Sequence, residues 1–430
     1  MGGKRRRQEG YAGWRPVAGA ALDRVCLADI TPAEFFDRYV AQRKPVVLSG
    51  SLPGAQWHLW TDEYLRARAG DAVVRVEARA STQAAFGASR HQQLRFTDFL
   101  DRLVKHLDEL LYLTTEATRF DAHGRLSVVS PPLTHLLGDV PLRPAVMGGL
   151  VPAALNLWMG RSRDGASSGL HHDWHDNLYA LLRGRKRFDL YAPSESAKLY
   201  PQGELAQVHA NGRIVYAGGA PCRPDGADDR DKARVALLDV RQAEAKLAAA
   251  EASQLPARLR RAAEAALDAA LEAQLEAGGG DDWDDGAVGD ASDQDGGDEG
   301  DTPPHFSRVR VGAMAGQQLH DEFPLFSTAV CTTVELGAGE LLYLPCGWWH
   351  NVTSWSDTAS PGSSQTHLAV NWWFAPPDTA RFEQPYGDDL WLRDWEHWCA
   401  DILPTLPASD EPRQPPRAGV RPRGERSVAV

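Results

Sequence analysis

The chain has 430 residues, enough for one large domain or two ordinary ones, and a formal net charge of −12. Ten of its acidic residues crowd into 278–301, so the remainder is close to balance and carries no global field that would favour nucleic acid or a membrane surface. The five cysteines (26, 222, 331, 346, 399) form no C-x-x-C pair, and no apolar run reaches the roughly 20 residues that span a bilayer. Met1–Arg7 lacks the apolar core of a signal peptide, so reduced thiols and a cytosolic or nuclear setting are expected.

In chain order, residues 1–20 read as an unstructured leader. Thr31-Pro32-Ala33-Glu34 supplies a capping residue, a proline at the first helical position and a returning glutamate, and Phe35, Phe36, Tyr39 and Val40 make that helix's apolar stripe. Pro45–Leu48 predicts a buried strand, Trp60–Ala67 a helix, Val73–Glu77 a strand and Phe96–Leu111 a longer helix. Leu111–Thr114 predicts a strand entering the core. Short strands follow over Ala153–Ala192 and Cys331–Phe374, separated by Gly- and Pro-containing turns, which is the spacing of a sandwich or barrel.

Between those blocks, 228–277 is rich in Ala, Leu, Glu, Arg and Gln, all strong helix formers, and Pro256 should break the helix in two. Residues 278–301 are mostly Gly and Asp with little to bury, so disorder is expected there. The organisation is then an α/β support at 21–150, a barrel at 151–226 and 302–377, and a helical segment at 378–403. A helical and acidic insertion occupies 227–301, and a Pro- and Arg-rich tail occupies 404–430. Trp391, Trp395 and Trp398 form an aromatic helix face that either makes a homodimer or packs on its own barrel.

Chemistry concentrates in Leu170-His171-His172-Asp173 and in Leu344-Pro345-Cys346-Gly347-Trp348-Trp349-His350. Alternate strand residues share a face, so His171 and Asp173 can point together while His172 points away. His350, delivered by a rigid turn, would complete a 2-His-1-carboxylate face that leaves positions open for oxygen chemistry at Fe(II). His305, His320, His367 and His397 are rival third ligands without that strand-turn setting, and zinc is the rival metal, although no thiolate lies in register. From Ala180 to Leu190 the chain alternates, placing Arg183, Arg185 and Arg187 on one face and Lys186 among small and apolar residues on the other. A buried ammonium needs an anion, either a structural Asp or Glu or the carboxylate of a bound keto acid. Tyr112, Ser168, Asn177 and Asn371 could add hydrogen bonds to such an acid.

These residues resemble the JmjC-domain oxygenases of the cupin superfamily, nearest the small JmjC-only protein hydroxylases. The match runs through Asn156–Gly160, Gly169–Tyr179, Arg183–Phe188, the Leu-Tyr-Leu-Pro-x-Gly-Trp-Trp-His block and Ala369–Phe374, with Arg43–Val47 upstream. The resemblance implies a double-stranded β-helix (jelly-roll) fold and Fe(II) held by His171, Asp173 and His350. It implies 2-oxoglutarate paired through Lys186, with Tyr112 and Asn177 at family positions around it and Asn371 near the metal. Ser168 stands where many members have Thr. The implied reaction consumes O2 and 2-oxoglutarate, releases succinate and CO2, and hydroxylates a protein or peptide side chain. N-methyl removal from lysine or arginine, and hydroxylation of a tRNA base, begin with the same step. The lack of a Cys/His reader module argues against histone demethylation, and the near-neutral catalytic part argues against nucleic acid. From other classes stand a catalytically silent interaction scaffold and a cupin isomerase using its metal as a Lewis acid.

Overall fold

The capping box forms as the sequence requires: the Thr31 side chain accepts from the Glu34 amide, and the Glu34 carboxylate accepts from the Thr31 amide at 2.9 Å. The helix Pro32–Phe35 passes into a π-turn over Phe36–Val40, and all four stripe residues are buried. The computed structural model describes residues 10–79, 90–106, 109–115, 119–162, 165–278, 302–312, 314, 316–357 and 365–407. All but the first residue of the tract expected to be disordered, and most of the C-terminal tail, lie outside these residues.

Nine strands form one sheet. Their order is Arg24–Cys26, Val46–Ser49, Leu341–Leu344, Asp176–Arg183, His367–Phe374, Pro152–Gly160, Leu110–Thr114, Val73–Arg79 and Arg90–Arg95. A smaller sheet runs Cys331–Gly337, Arg185–Tyr191, Trp349–Trp355 and Ala166–Ser167, and the two-residue strand His171–His172 also pairs with Trp349–Trp355. Strand parity divides the large sheet between two cores. Val46 and Leu48 face the N-terminal helices, whereas Val47, Tyr179 and Leu181 face Phe188, Leu190 and Leu336 of the small sheet. The result is a cupin-like jelly roll of two facing sheets; among the described residues no strand pairing closes them into one barrel.

Several expectations need correction. The leader is ordered from Gly10: Tyr11 is buried, its hydroxyl donates to the Trp14 and Arg43 carbonyls, and Trp14 stacks on Trp348. The second helix starts at Asp62 because Thr61 caps it, and the helix from Phe96 stops at Lys105. Ala180–Leu190 is not one strand. At Gly184, with φ of +84°, the chain leaves the large sheet for the small one. A Cβ there would lie 2.4 Å from the Trp355 carbonyl oxygen, so only glycine fits. The inward set therefore changes phase, from Asn177, Tyr179 and Leu181 to Lys186, Phe188 and Leu190. Arg183, expected to face out, is buried and bonds Asp62 at 2.7 Å.

Residues 228–277 form the helices Asp229–Ala252 and Ala257–Glu276, parted at Pro256. The first is anchored on the C-terminal helix Leu390–His397. There Asp394 is buried between Arg234 and Arg125, the latter at 2.7 Å but not aligned as a hydrogen bond, and Asp239 pairs with Arg393 and His397. Trp395 and Trp398 stack at 4.9 Å and belong to the main core. The second helix has no buried residue and leaves Leu259, Leu271 and Leu275 exposed. Truncating Asp394 to Ala would take from Arg125 its carboxylate partner and leave Arg234 with Asp231 alone. Asp394→Ala is expected to lower stability by about 3–5 kcal/mol in urea denaturation, whereas Arg185→Ala, on the surface, should change it by less than about 1 kcal/mol.

Candidate metal centre and adjoining anion pocket

Antiparallel pairing puts His171 directly opposite His350 and His172 opposite Trp349. The imidazoles of His171 and His350 meet at 4.3 Å between centroids. Asp173, just past the short strand, brings its carboxylate to 4.0 Å from His171 Nε2 and 3.7 Å from His350 Nε2. The three donor atoms all lie within 4.8 Å of one another. Donors sharing one ion at ~2.1 Å would sit ~3 Å apart, so closing on a metal takes less than about 1 Å of side-chain movement.

Each imidazole is also turned correctly for that task. His171 Nδ1 lies 3.0 Å from the Gly169 carbonyl and His350 Nδ1 2.9 Å from the Trp348 carbonyl. Donation of Nδ1–H to those oxygens leaves both Nε2 lone pairs facing Asp173. Burial, with His350 beside it and only partly offset by Asp173, pushes the His171 pKa down to about 4, so the ring is neutral, as a ligand must be. Two imidazoles and one carboxylate fit a divalent cation.

The rivals fall away by position. His172 points into the protein, with Nε2 bonded to the Tyr216 hydroxyl at 2.8 Å. His397 pairs with Asp239, and His320 is exposed on the helix Gly316–Glu322. His305 lines the same cavity, 6.5 Å from the His171 ring, yet offers no atom to the donor cluster. The Cys346 thiol is buried, with its pKa pushed up to about 12 chiefly by that burial, and it contacts Arg43 rather than the cluster. No thiolate is available there for a zinc site.

A cavity of about 140 Å3, open at its mouth, runs from this triad to Lys186. Lys186 is 2% exposed, its ammonium lies 5.3 Å from the Tyr179 ring centre, and among the described residues no carboxylate pairs with it. Burial alone pushes its pKa down to about 7. The described residues offer it no structural ion pair, and Lys186 lines the cavity. Asn177 and Asn371 come from adjacent strands: Asn371 Nδ2 donates to Asn177 Oδ1 at 3.0 Å, and its own Oδ1 accepts from Trp158 Nε1 at 2.7 Å. Tyr112 lines the same end, with its ring 5.7 Å from that of His367. Ser168 lines the cavity too, but its hydroxyl serves the backbone, donating to Gly169 O and accepting from Val352 N–H at 3.0 Å.

Three cavity-lining residues were not given that role in the sequence analysis. The Tyr179 hydroxyl is buried with no hydrogen-bond partner among the described residues, and the Lys186 ammonium lies over its ring; the alternation Asn177, Tyr179, Leu181 would have found it. His305 and Phe306 arrive from beyond the insertion, and Phe306 stacks on His171 at 5.0 Å. No local pattern signals that return.

A family model described as a cupin-like domain matches residues 32–380. The chain is 33% identical to JmjC domain-containing protein 4 of Schizosaccharomyces pombe, over 89% of this chain and 91% of that protein. It is 30% identical to human JmjC domain-containing protein 8 over 45% of this chain and 70% of that one. It is 27% identical to the human bifunctional peptidase and (3S)-lysyl hydroxylase JMJD7, over 38% of this chain and 52% of the relative.

Replacing Lys186 by the apolar, similarly long Met removes the unfavourable buried charge. The folded pKa of about 7 lies below the ordinary lysine value of 10.5, so this cost is fully present below pH 7 and vanishes as pH rises past the unfolded pKa. Ligand-free Lys186→Met protein should therefore melt higher than the parent at pH 6.5, and the difference should shrink towards pH 10. Equal melting temperatures at pH 6.5 would show the ammonium to be paired.

Proposed function

The chain belongs to the JmjC family of cupin-like domains, and from that premise we propose that it is an Fe(II)- and 2-oxoglutarate-dependent oxygenase that hydroxylates a protein side chain. The observation that carries the reading is the pairing, in one cavity, of an intact His-Asp-His donor set with a buried ammonium that has no acid of its own among the described residues. His171, Asp173 and His350 would hold the iron. When bound, the metal supplies oxygen activation driven by oxidative decarboxylation of the keto acid to succinate and CO2.

The chain's own residues supply position and dryness. Lys186 gives the far carboxylate of 2-oxoglutarate its counter-charge at the closed end, and the idle Tyr179 hydroxyl is available as a second donor. The Trp158–Asn371–Asn177 chain of hydrogen bonds fixes the polar wall beside them. Trp174, Phe306 and Trp373 line the cavity with aromatic surface that limits water around the donors. A protein substrate is favoured by the lysyl hydroxylase among the relatives. In that setting N-methyl removal would be the same hydroxylation applied to a methylated side chain.

The test is succinate release by the full chain with Fe(II), 2-oxoglutarate and peptide pools, followed by mass spectrometry for a gain of one oxygen. Turnover should be lost in His171→Ala and in Asp173→Ala. No succinate from any pool, or turnover that survives both substitutions, would favour a non-catalytic scaffold. Turnover indifferent to O2 and keto acid would favour an isomerase. Lys186→Ala should weaken 2-oxoglutarate binding by about 2–5 kcal/mol in calorimetry. Because the empty-site Lys186 loses its proton above about pH 7, binding to the parent should take up a proton there and weaken as pH rises.

A further inference from the structure

Resting on the metal reading above, we infer that Asp176 is the positioning residue of the centre: a buried carboxylate that ties together the two chain segments bearing the ligands and thereby sets the distance from Asp173 to His350. Asp176 is wholly buried and starts the strand Asp176–Arg183, three residues after Asp173. Its Oδ2 accepts from Tyr343 Oη at 2.7 Å and from Arg43 Nη1 at 2.8 Å. Its Oδ1 accepts from the Cys346 amide at 3.0 Å and from Arg43 Nη2. Tyr343 and Cys346 belong to the strand and turn that lead directly to His350.

The same two segments are joined a second time, by the Gly347 amide donating to the Asp173 carbonyl at 2.8 Å. That turn has no slack: Gly347 has φ of +72°, and a Cβ on it would lie 1.8 Å from the Gly212 carbonyl oxygen. Arg43 is held from behind. Its carbonyl accepts from the Tyr11 hydroxyl, and its Nε donates to the Asn211 carbonyl at 2.8 Å. Arg43 itself sits at φ of +53°, an unusual conformation for a residue with a Cβ, and the bidentate contact with Asp176 offsets it. Every donor to Asp176 thus comes from an element outside its own strand, and two of the four come from the approach to His350.

Asp176 touches no metal or substrate, so its effect must be read through the ligands. Cobalt(II) titrations of metal-free full-length protein, followed by visible absorption, report both affinity and ligand geometry. Asp176→Asn should weaken cobalt binding about 10–100-fold and alter the visible bands, at a temperature where the variant is folded by circular dichroism. Tyr343→Phe removes a single donor and should weaken binding in the same direction by a smaller factor, which keeps the inference testable if Asp176→Asn does not fold. Arg234→Ala, a remote buried ion-pair variant, should lower the melting temperature and leave cobalt affinity unchanged. Folded Asp176→Asn and Tyr343→Phe proteins with parental affinity and spectra would overturn the inference. An equal loss of affinity in Arg234→Ala would overturn it too, by assigning the effect to general instability. Parent protein that takes up no cobalt would overturn the metal reading, and the inference with it.

Discussion

The site depends on one register: a two-residue strand pairing antiparallel with Trp349–Trp355 so that His171 falls opposite His350. Because side chains alternate with a period of two, sliding that pairing by one residue would exchange the inward and outward sets. His172 and Trp349, which now pack edge to face at 4.8 Å beneath the site, would then occupy the cavity in place of the donors. Two residues of pairing are too few to hold such a register alone. Ser168 secures it from one side, its backbone and hydroxyl both bonded to Val352. The Phe306–His171 bridge and the Ser307 amide bonded to Leu170 secure it from the other. A serine suggested by sequence as a co-substrate contact therefore has a prior task in keeping the ligands in phase.

The cavity owes its two chemistries to the change of sheet at Gly184. Asn177 and Tyr179 project from the large sheet and Lys186 from the small one, so polar groups reach the same space from opposite walls. A single continuous strand could not do this, since residues seven and nine positions apart would project from opposite faces of one sheet and so into different spaces. The turn also separates charges. Arg185 and Arg187 stay at the surface with Glu335 and Asp189, while Lys186 alone is enclosed. In a low-dielectric pocket an unpaired cation is unfavourable until an anion arrives, and that cost becomes selectivity for a negatively charged ligand.

The legible parts of this molecule were those governed by short-range rules. The capping box at Thr31, the helix break at Pro256 and the placing of His171, Asp173 and His350 all follow from period, turn chemistry and ligand type. What escaped were contacts between residues far apart in sequence. Arg183 reads as a surface arginine because its partner Asp62 lies 121 positions away. Tyr11 looks like part of a loose leader until Arg43 and Trp14 are seen around it. The indole pair at Trp395 and Trp398 suits either a dimer face or a core by sequence. The structure sets it in the core, with the helix Asp229–Ala252 docked on the same helical segment.

The insertion shows why length and position must be judged separately. Its length adds little, because the entropy of closing a loop grows only logarithmically with the residues enclosed. Its two ends, however, are held firmly. Arg223 pairs with Asp225 and Asp388 just before the first helix, and Asp228 caps that helix. On the return, Pro304 and Phe306 accept from the amides of Gly203 and Gln202, and Arg308 donates to Tyr200. These bonds lay Pro303–Arg308 against the ligand strand and deliver His305 and Phe306 to the cavity wall. An excursion leaving from a free surface loop would be neutral to chemistry wherever its ends met. One whose exit forms part of the wall ties the placement of two cavity side chains to how the excursion is anchored, and the buried Arg234–Asp394–Arg125 cluster is the anchor.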